Sequence, residues 1–358
     1  MPRVIGIDPG TVSVDLCGLD DGRRFLELSI PTAEALADPA MLVALLHEAM
    51  PLDLIAGPSG YGLPLTAAHA LTEDDLRLAC LAAEGETGGI GGLRSLMRAL
   101  GRSTLPVVVT PGVVHLATVP AHRKVNRVDM GTADKVCAAV LAVHEQVERR
   151  RCDARDVSLI LLELGGAFTA ALAVAQGQIV DGIGGTSGPI GARAAGALDG
   201  EVAFLAGHVS KHLLFGGGAA TIAGTPDALA TPTTARGRLA WATYVESAVK
   251  AVAALTVSVP HPCEVILSGR MARAEGVQGE LARRIASLIP NAKVHLLGGD
   301  ATSGEPTARG AALLADGLAG GAAAEVVCTL RIREAHGTSL DHLYVISAAA
   351  ARERLGVT

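Results

Sequence analysis

A pattern of three strands, with a glycine turn after the first strand, occurs twice in the chain and restarts at about residue 155. The first copy is VIGIDPGTVSVDLCGLDDGRRFLELSI, with strands predicted at about 3–8, 12–19 and 23–30. The second copy is VSLILLELGGAFTAALAVAQGQIVDGIGG, at 157–185. In each copy a carboxylate residue and then a glycine follow a buried apolar strand. The repetition predicts an internal duplication of one α/β unit.

The rest of the chain completes an α/β fold in both halves, which we place at residues 1–155 and 156–358. Apolar periodicity and turn residues predict the other elements. Helices are predicted at 33–50, 72–100 (with a glycine break), 131–151, 188–198, 235–258 and 305–320. A short strand running into a loop is predicted at 52–65, a strand and a turn at 105–116, and a strand, a turn and a helix at 263–275. A further strand is predicted at 291–297, followed by a β-rich piece at 326–333 and a terminal strand and helix at 342–355.

Composition argues against several classes of function. The chain of 358 residues is long enough for two domains. Aromatic residues make up only 2%, and the formal net charge is −6. Nucleic-acid binders use stacking rings and basic surfaces, so we expect no nucleic-acid partner. The six cysteines include no CxxC pair, which predicts a reduced chain without a zinc site. No signal peptide and no apolar run of about 18 residues is visible, so we expect a cytoplasmic protein without a membrane partner.

The first glycine turn is Asp8-Pro9-Gly10-Thr11. Backbone N–H groups in such a turn can hold phosphate, and a carboxylate at the strand end can hold Mg²⁺, usually through water. Gly10 allows close approach of the backbone, and Thr11 offers a hydroxyl. An ordinary hairpin turn is the alternative, because Asp-Pro-Gly is also favourable turn chemistry.

The second turn runs from Glu163 to Thr169 and contains Gly165 and Gly166. A charged group after a buried apolar strand is costly unless it faces a ligand, water or a cation. This turn has the same alternative as the first, but two such turns at matching points of two repeats favour a shared ligand.

A third turn, Ser268-Gly269-Arg270, follows the buried strand of the second half. A small turn of this kind can pack against a flat base, with Arg270 lying over it. Taken alone, the motif favours a plain connection from strand to helix, and it becomes informative only because it follows the other two turns in the chain.

The order of these motifs resembles the acetate and sugar kinase, Hsp70 and actin superfamily. GIDPGT resembles the first phosphate loop, ELGGAFT the second, LSGR the adenosine loop, and GEPTARGAALLA the closing helix. The resemblance implies two duplicated RNase H-like (actin-like ATPase) domains with a nucleotide cleft between them. It also implies ATP and Mg²⁺ as cofactors, with Asp8 beside the metal. Residues implied to bind the nucleotide are Gly10, Thr11, Glu163, Gly165, Gly166, Thr169, Ser268, Gly269 and Arg270.

Within the superfamily, GIDPGT, GPSGYGLP and VDMGTADK resemble a family described as predicted butyrate kinases. This resemblance implies a kinase for a small molecule such as a short-chain carboxylate, and carboxylate kinases of this kind often form homodimers. The chain departs from the superfamily pattern at the second loop. Glu163 stands where Asp is usual, and Ala167 stands where Thr or Ser is frequent.

Asp134 and Lys135 are candidate catalytic residues. The stretch from Gly131 to Lys135 resembles a motif of type III pantothenate kinases, with Lys in place of Arg. A carboxylate there can orient an acceptor and take its proton, and Lys135 can offset phosphoryl charge. The alternative is that Asp129 and Asp134 are ordinary acids at the start of a helix. Asp129 is the second candidate for the base.

A carboxylate acceptor is already ionised at neutral pH and needs cations rather than a base. Arg123 and Arg127 of PAHRKVNR are the candidates, beside His122 and Lys124, although basic runs are usually solvated surface. The loop GPSGYGLP follows a strand, and loops of this kind often line binding sites. Its Ser59 and Tyr61 are candidate substrate contacts, or parts of a rigid turn.

Three alternatives stay open at this point. GIDPGT also resembles the start of Holliday-junction resolvases, in which Asp8 would bind catalytic metal, but such a domain has about half this length. A non-kinase ATP-binding switch or ATPase shares the same turns. His208 and His212 have helical i, i+4 spacing and suggest a metal pair without an obvious third ligand.

Overall fold

The first half of the chain forms a mixed sheet of six strands. The structure, a computed structural model, describes residues 2–82, 89–225, 229, 231–274, 276–299 and 306–357. The strands are β1 (Arg3–Pro9), β2 (Ser13–Asp20), β3 (Arg23–Pro31), β4 (Leu54–Gly57), β5 (Thr66–Ala67) and β6 (Val107–Val109). Their order is β3-β2-β1-β4-β6-β5, with β1, β4 and β6 parallel.

The second half forms a sheet of five strands. They are β7 (Leu159–Leu164), β8 (Thr169–Ala175), β9 (Gln178–Ile183), β10 (Glu264–Ser268) and β11 (Lys293–Leu296). Their order is β11-β10-β7-β8-β9, with β7, β10 and β11 parallel. Apart from the edge strand β5, this is the order of the first sheet. The predicted duplication is therefore confirmed.

The correspondence between the two sheets extends to single residues, at a constant spacing of 155 positions. Asp8 of β1 pairs with Asp15, and Glu163 of β7 pairs with Ala170. The register shift at Gly18/Leu19 recurs at Ala173/Val174. The hairpin turns Asp21-Gly22 and Gln176-Gly177 both have positive φ at both residues, as a tight two-residue hairpin requires.

The described helices of the first half are α1 (Thr32–Ala37), α2 (Pro39–Glu48), α3 (Glu73–Cys80), α4 (Gly89–Arg102), α5 (Ala121–Lys124) and α6 (Ala133–Arg150). Those of the second half are α7 (Gly200–Ala206), α8 (Lys211–Phe215), α9 (Ala219–Ala223), α10 (Ala235–Leu255) and α11 (Val277–Leu288). The chain continues with α12 (Pro306–Leu318), α13 (Ala324–Thr329) and α14 (Ala348–Leu355).

Two crossing helices, α6 and α12, pack between the two sheets. Their buried side chains belong to one core that also includes Val4 of the first sheet and Leu159 of the second. Small residues allow this close contact. A Cβ on Gly6 of β1 would lie 2.1 Å from the backbone nitrogen of Ala312 in α12. The packing of α6 and α12 therefore holds the two halves together.

The last part of the chain returns to the first half. Leu340, Ala351 and Val357 are buried in a cluster with Leu63 and Leu76 of the first half. The segment after residue 306 packs largely on the first sheet and α6. The domain boundary that we place between residues 155 and 156 stays a prediction.

Three predicted elements are wrong. Residues 188–198 are not helical, because Gly191 lies against the second glycine turn, where its Cβ would be 2.0 Å from the Ala167 carbonyl oxygen. The β-rich piece at 326–333 is instead α13 and a 3-10 turn. The terminal strand is absent, since the backbone N–H groups of Tyr344 and Val345 donate to the Asn126 side chain. The predicted glycine break, GETGGIGGL at 85–93, lies outside the described residues up to 88, and its remainder is the start of α4.

Candidate functional site

The first glycine turn positions two carboxylates at the end of β1. Asp8 lies directly opposite Asp15 of β2, and both residues are buried. Position 10 requires glycine, because a Cβ there would lie 2.7 Å from the Ser13 carbonyl oxygen. The Thr32 hydroxyl donates to the Gly10 carbonyl at 2.7 Å and fixes the turn.

The second turn repeats this geometry at the end of β7. The Gly165 N–H donates to the Phe168 carbonyl oxygen at 2.9 Å. A Cβ on Gly165 would lie 3.0 Å from that oxygen, as one on Gly10 would lie against Ser13. Glu163 takes the place of Asp8, and it is buried. Both turns thus present a carboxylate followed by a glycine backbone.

The two turns face each other. A Cβ on Gly166 would lie 3.2 Å from Thr11 Oγ1 and 3.5 Å from Val12 Cγ2. The contact joins the two halves in the lining of a cleft of about 630 Å³, a size typical of small-molecule sites.

The third turn packs directly on the second. Gly269 has φ +86°, and a Cβ there would lie 2.4 Å from the Leu164 carbonyl oxygen. Ser268 is buried within β10, whereas Arg270 is exposed and begins a 3-10 turn on the cleft wall. This turn offers the cleft a small flat surface beside the second turn.

Lys135, near the start of α6, joins carboxylates from both halves. Its ammonium donates to Asp134 and lies 3.3 Å from Glu163 Oε1. The Thr132 hydroxyl donates to the other oxygen of Asp134. The Lys135 side chain is only 14% exposed, so this ion pair is shielded from solvent.

The charges within this group set its titration. Burial would raise the pKa of the Asp134 carboxyl, but the adjacent Lys135 ammonium and two hydroxyl or ammonium donors hold it below its usual value. Burial would lower the pKa of Lys135, yet Asp134 and Glu163 raise it. Asp134 is therefore ionised and a weak base at neutral pH.

Asp129, the second candidate for the base, is committed to structural hydrogen bonds. Its carboxylate accepts from the Gly131 N–H at 3.1 Å and from the Thr186 N–H and hydroxyl at 2.9 and 3.0 Å. These bonds tie the start of α6 to the chain after β9.

The loop Pro58–Leu63 forms the wall of the cleft on the side of the first sheet. The Tyr61 N–H donates to the Ala79 carbonyl at 2.9 Å, and the Ser59 hydroxyl donates to the Thr110 carbonyl. Burial raises the pKa of the Tyr61 phenol, with a further contribution from the Asp129 charge. The loop is held rigidly, with the Tyr61 ring on the cleft.

The cleft brings most of the sequence-predicted site residues together. From the first half it is lined by Asp8, Gly10, Thr11, Ser59, Tyr61, Asp134 and Lys135, and from the second by Glu163, Gly165, Gly166, Gly269 and Arg270. Thr169 and Ser268 are buried in their strands behind the turns.

The basic run at 122–127 lies apart from the cleft. Arg123 donates to the Val180 carbonyl at 2.7 Å and lies 3.8 Å from Asp181. Arg127 is exposed, and the buried Lys124 ammonium donates to the Leu116 carbonyl at 2.9 Å. The substrate role of Arg123 and Arg127 stays a prediction that no contact with the cleft supports.

The suggested histidine pair is wrong. His208 precedes α8, so it does not share a helix with His212. Among the described residues, no group of three His, Cys, Asp or Glu side chains has the arrangement of a metal site.

None of the helices in the described ranges is long and apolar enough to span a bilayer.

Sequence reasoning missed three charged residues of the cleft. Asp15 was hidden as a single acid within an apolar strand, although the hairpin register would place it opposite Asp8. Arg193 and Lys211 also line the cleft. Arg193 lies in the segment 188–198, which was wrongly predicted to be helical, and no motif of the sequence identifies either residue.

Two sheets of equivalent order, with facing glycine turns between them, define the class of protein. Solved structures share this fold. A propionate kinase from Francisella tularensis subsp. tularensis SCHU S4 superimposes with a TM-score of 0.60 at 13% identity, covering 87% of this chain and 98% of that chain. An acetate kinase from Entamoeba histolytica gives 0.58 at 12% identity, covering 80% and 87%. The acetate kinase of Porphyromonas gingivalis gives 0.54 at 13% identity, covering 80% and 88%.

The chain therefore has the fold of these acetate and propionate kinases, with the two duplicated domains that the motifs predict. The chain itself belongs to the family described as Protein of unknown function (DUF1464), whose model matches residues 6–345. Among curated proteins, none matches the sequence.

Proposed function

We propose that the protein is an ATP-dependent phosphotransferase whose acceptor is a small molecule, and that this acceptor is a short-chain carboxylate such as butyrate. The observation that carries the proposal is the facing pair of turns at Asp8–Thr11 and Glu163–Gly166 in one cleft. Successive backbone N–H groups in such turns favour phosphate. The third turn, at Gly269, supplies the surface against which a nucleoside would lie.

The carboxylates of the cleft suit a divalent cation. Asp8 and Asp15 are cross-strand neighbours whose like charges repel, and a divalent cation would add to the charge compensation that Lys135 gives Asp8. Glu163 Oε2 is buried and has no hydrogen-bond partner among the described residues. Asp8 would hold Mg²⁺, largely through water. Bound there, Mg²⁺ would neutralise charge on the transferring phosphoryl group.

Lys135 supplies the protein's own positive charge at the same place. Its ammonium is held by Asp134 and Glu163, which orients it before any substrate arrives. A cation preorganised in a water-poor site stabilises developing phosphoryl charge more than a solvated cation does. We assign Lys135 this role and assign Asp134 the positioning of Lys135.

The weak basicity of Asp134 favours a carboxylate acceptor. An alcohol would have to lose a proton during transfer, and the base for it would be a carboxylate with a lowered pKa. A carboxylate acceptor is ionised at neutral pH and needs no base. The cleft wall beside Tyr61, formed by Ala79, Cys80 and Leu93, suits a short apolar chain.

The test is product formation with purified protein, MgATP and a panel of short carboxylates and alcohols. Acyl phosphate can be trapped with hydroxylamine. We expect product with at least one carboxylate, and background levels in Asp8→Asn. The control is Asp21→Asn, in an exposed hairpin turn outside the cleft. Full turnover in Asp8→Asn would contradict the assignment.

A second candidate is an ATP-hydrolysing switch without a phosphoryl acceptor. It is favoured by the positions of Arg123 and Arg127, because the cations predicted to bind an acceptor do not line the cleft. Phosphate release that is unaffected by every compound of the panel would support the switch and exclude the transferase.

A further inference from the structure

A segment of the second half reaches across the cleft to the first half. We name residues 199–217, which include α7 and α8, the arm. Backbone bonds fix its base, because Ala195 N–H donates to the Gly216 carbonyl at 2.8 Å and Gly218 N–H to the Arg193 carbonyl at 2.8 Å. The arm is therefore a long loop whose two ends are hydrogen-bonded together beside the second turn.

Two contacts place the arm between the second turn and the Tyr61 loop on the opposite wall of the cleft. Phe215 packs edge-to-face on Phe168 of the second turn, with ring centroids 5.0 Å apart. Lys211 Nζ lies 5.5 Å from the centre of the Tyr61 ring, which belongs to the first half. The arm thus brings a cation of the second half to the wall formed by the Tyr61 loop.

The internal symmetry indicates what this wall binds. Strand β4 pairs in parallel with β1 and ends at Gly57, just before Pro58-Ser59-Gly60. In the same way β10 pairs in parallel with β7 and ends at Ser268, just before Gly269-Arg270. The Tyr61 loop is thus the first-sheet counterpart of the third turn. In the proposed function the third turn faces the nucleoside, at one end of the triphosphate. The Tyr61 loop then faces the other end, where the acceptor receives the terminal phosphoryl group.

The other cations of the cleft have different positions. Lys135 is held by Asp134 and Glu163. Arg193 is bonded through its backbone to the second turn at Ala167, and Arg270 belongs to the third turn. Among the described lining residues, Lys211 is the cation placed beside the Tyr61 ring. A half-buried ammonium there favours an anionic group over a neutral group of the same shape.

We infer that Lys211 is a specificity-determining residue: the arm presents its ammonium to the anionic group of an acceptor lying against the Tyr61 loop. Apolar side chains next to the loop receive the body of the acceptor. A Cβ on Gly60 would lie 3.3 Å from Leu93 Cδ2, which shows how closely this wall is packed. The inference rests on the proposed phosphotransferase function for the identity of the ligand as an acceptor.

The experiment compares matched pairs of ligands that differ only in charge. Acetate, propionate, butyrate and valerate are titrated beside their primary amides, with and without the Mg²⁺ complex of a non-hydrolysable ATP analogue. The proteins are the natural chain, Lys211→Met, Lys211→Arg and the control Lys250→Met, an exposed lysine of α10. We expect the natural chain to prefer one or more acids over its amide by about tenfold or more.

Lys211→Met should bind the acid and the amide equally, and Lys211→Arg should keep part of the preference. Both variants should retain the thermal stabilisation by the ATP analogue, which shows that they fold. A preserved preference in Lys211→Met, or no preference for any acid in the natural chain, would overturn the inference. If the ATP analogue does not raise the melting temperature of the natural chain, the proposed function is contradicted. The titrations of acid and amide pairs without nucleotide then still test the role of Lys211.

Discussion

Gly166 and Thr11 meet in the lining of the cleft, where a Cβ on Gly166 would lie 3.2 Å from Thr11 Oγ1. The two residues lie in glycine turns of different halves and occupy matching positions of the duplicated unit. The spacing of the two glycine turns is therefore set by the missing side chain at residue 166. A larger residue there must push the turns apart or displace Thr11.

Gly166→Val should weaken nucleotide binding by about tenfold or more, because in the proposed function both turns contact the same phosphates and a small misplacement is costly. Isothermal titration with the Mg²⁺ complex of a non-hydrolysable ATP analogue measures the change. Gly200→Val is the control, since a Cβ there meets nothing within 4 Å. Equal affinity in the two variants would show that the turns do not share a ligand.

Removal of the Lys135 ammonium should destabilise the fold. Lys135→Met would leave Asp134 and Glu163 as neighbouring carboxylates without their cation, in a site where Lys135 is 14% exposed. Breaking one partner of a largely buried pair costs about 3 kcal/mol. Urea denaturation measures it, with Lys250→Met of the exposed pair on α10 expected to match the natural chain. An unchanged unfolding midpoint in Lys135→Met would exclude a stabilising bridge between the halves.

The pH dependence of stability should report the ionised state of Asp134. Its folded pKa lies below the ordinary value of 3.8, so below about pH 4 the unfolded chain binds more protons and the folded state loses stability as pH falls. Asp134→Asn lacks this titration. The difference in free energy of unfolding between the natural chain and Asp134→Asn should be constant above about pH 4 and shrink below it. Asp21→Asn serves as the control, and a difference that grows on acidification would contradict the ionised pair.

Local turn chemistry explains why so much of the fold could be predicted. Asp-Pro-Gly, Asp-Asp-Gly and Gln-Gly-Gln each lie between apolar runs, so the strands and hairpins of both meanders follow from neighbouring residues alone. The glycine turns of the site belong to these meanders. Their meeting in one cleft followed from the duplication, because matching turns of two packed repeats face a common space.

Elements that depend on distant contacts could not be predicted in this way. Val326 and Val327 favour a strand by propensity, but they are helical because Val327 packs on Gly317 of α12, where a Cβ would lie 2.4 Å from its Cγ2. Lys211 shows the same limitation in the site. Its position beside Tyr61 depends on the fixed base of the arm, and no short-range pattern encodes that base.

Gly269 should be sensitive for two separable reasons. Its backbone, with φ +86° and ψ 165°, lies in a region that is essentially restricted to glycine, so a side chain there costs about 1–3 kcal/mol, and its Cβ would lie 2.4 Å from the Leu164 carbonyl oxygen. Gly22 also has a positive φ, +71°, but a Cβ there meets nothing within 4 Å, so Gly22→Ala gives the cost of a side chain at positive φ without a contact. We expect Gly269→Ala to lose clearly more stability than Gly22→Ala and to reduce the thermal shift by the ATP analogue. Equal losses would show that the third turn can move away from the second.

The crossing of α6 and α12 gives a prediction in which two identical substitutions change stability in opposite directions. A Cβ on Gly310 of α12 would lie 2.0 Å from the Cys137 carbonyl oxygen of α6, whereas one on Gly279 of α11 meets nothing within 4 Å. Gly279→Ala should stabilise the protein by up to about 1 kcal/mol, because alanine is the better helix former. Gly310→Ala has the same propensity gain, but it must separate the helices at a cost of about 1–3 kcal/mol or more.

Gly310→Ala should therefore lower the free energy of unfolding in urea, and it should also change nucleotide affinity, since these two helices set the relative position of the facing turns. Gly279→Ala should leave that affinity unchanged. If Gly310→Ala were as stable as Gly279→Ala and bound nucleotide normally, the crossing would not control the distance between the two halves.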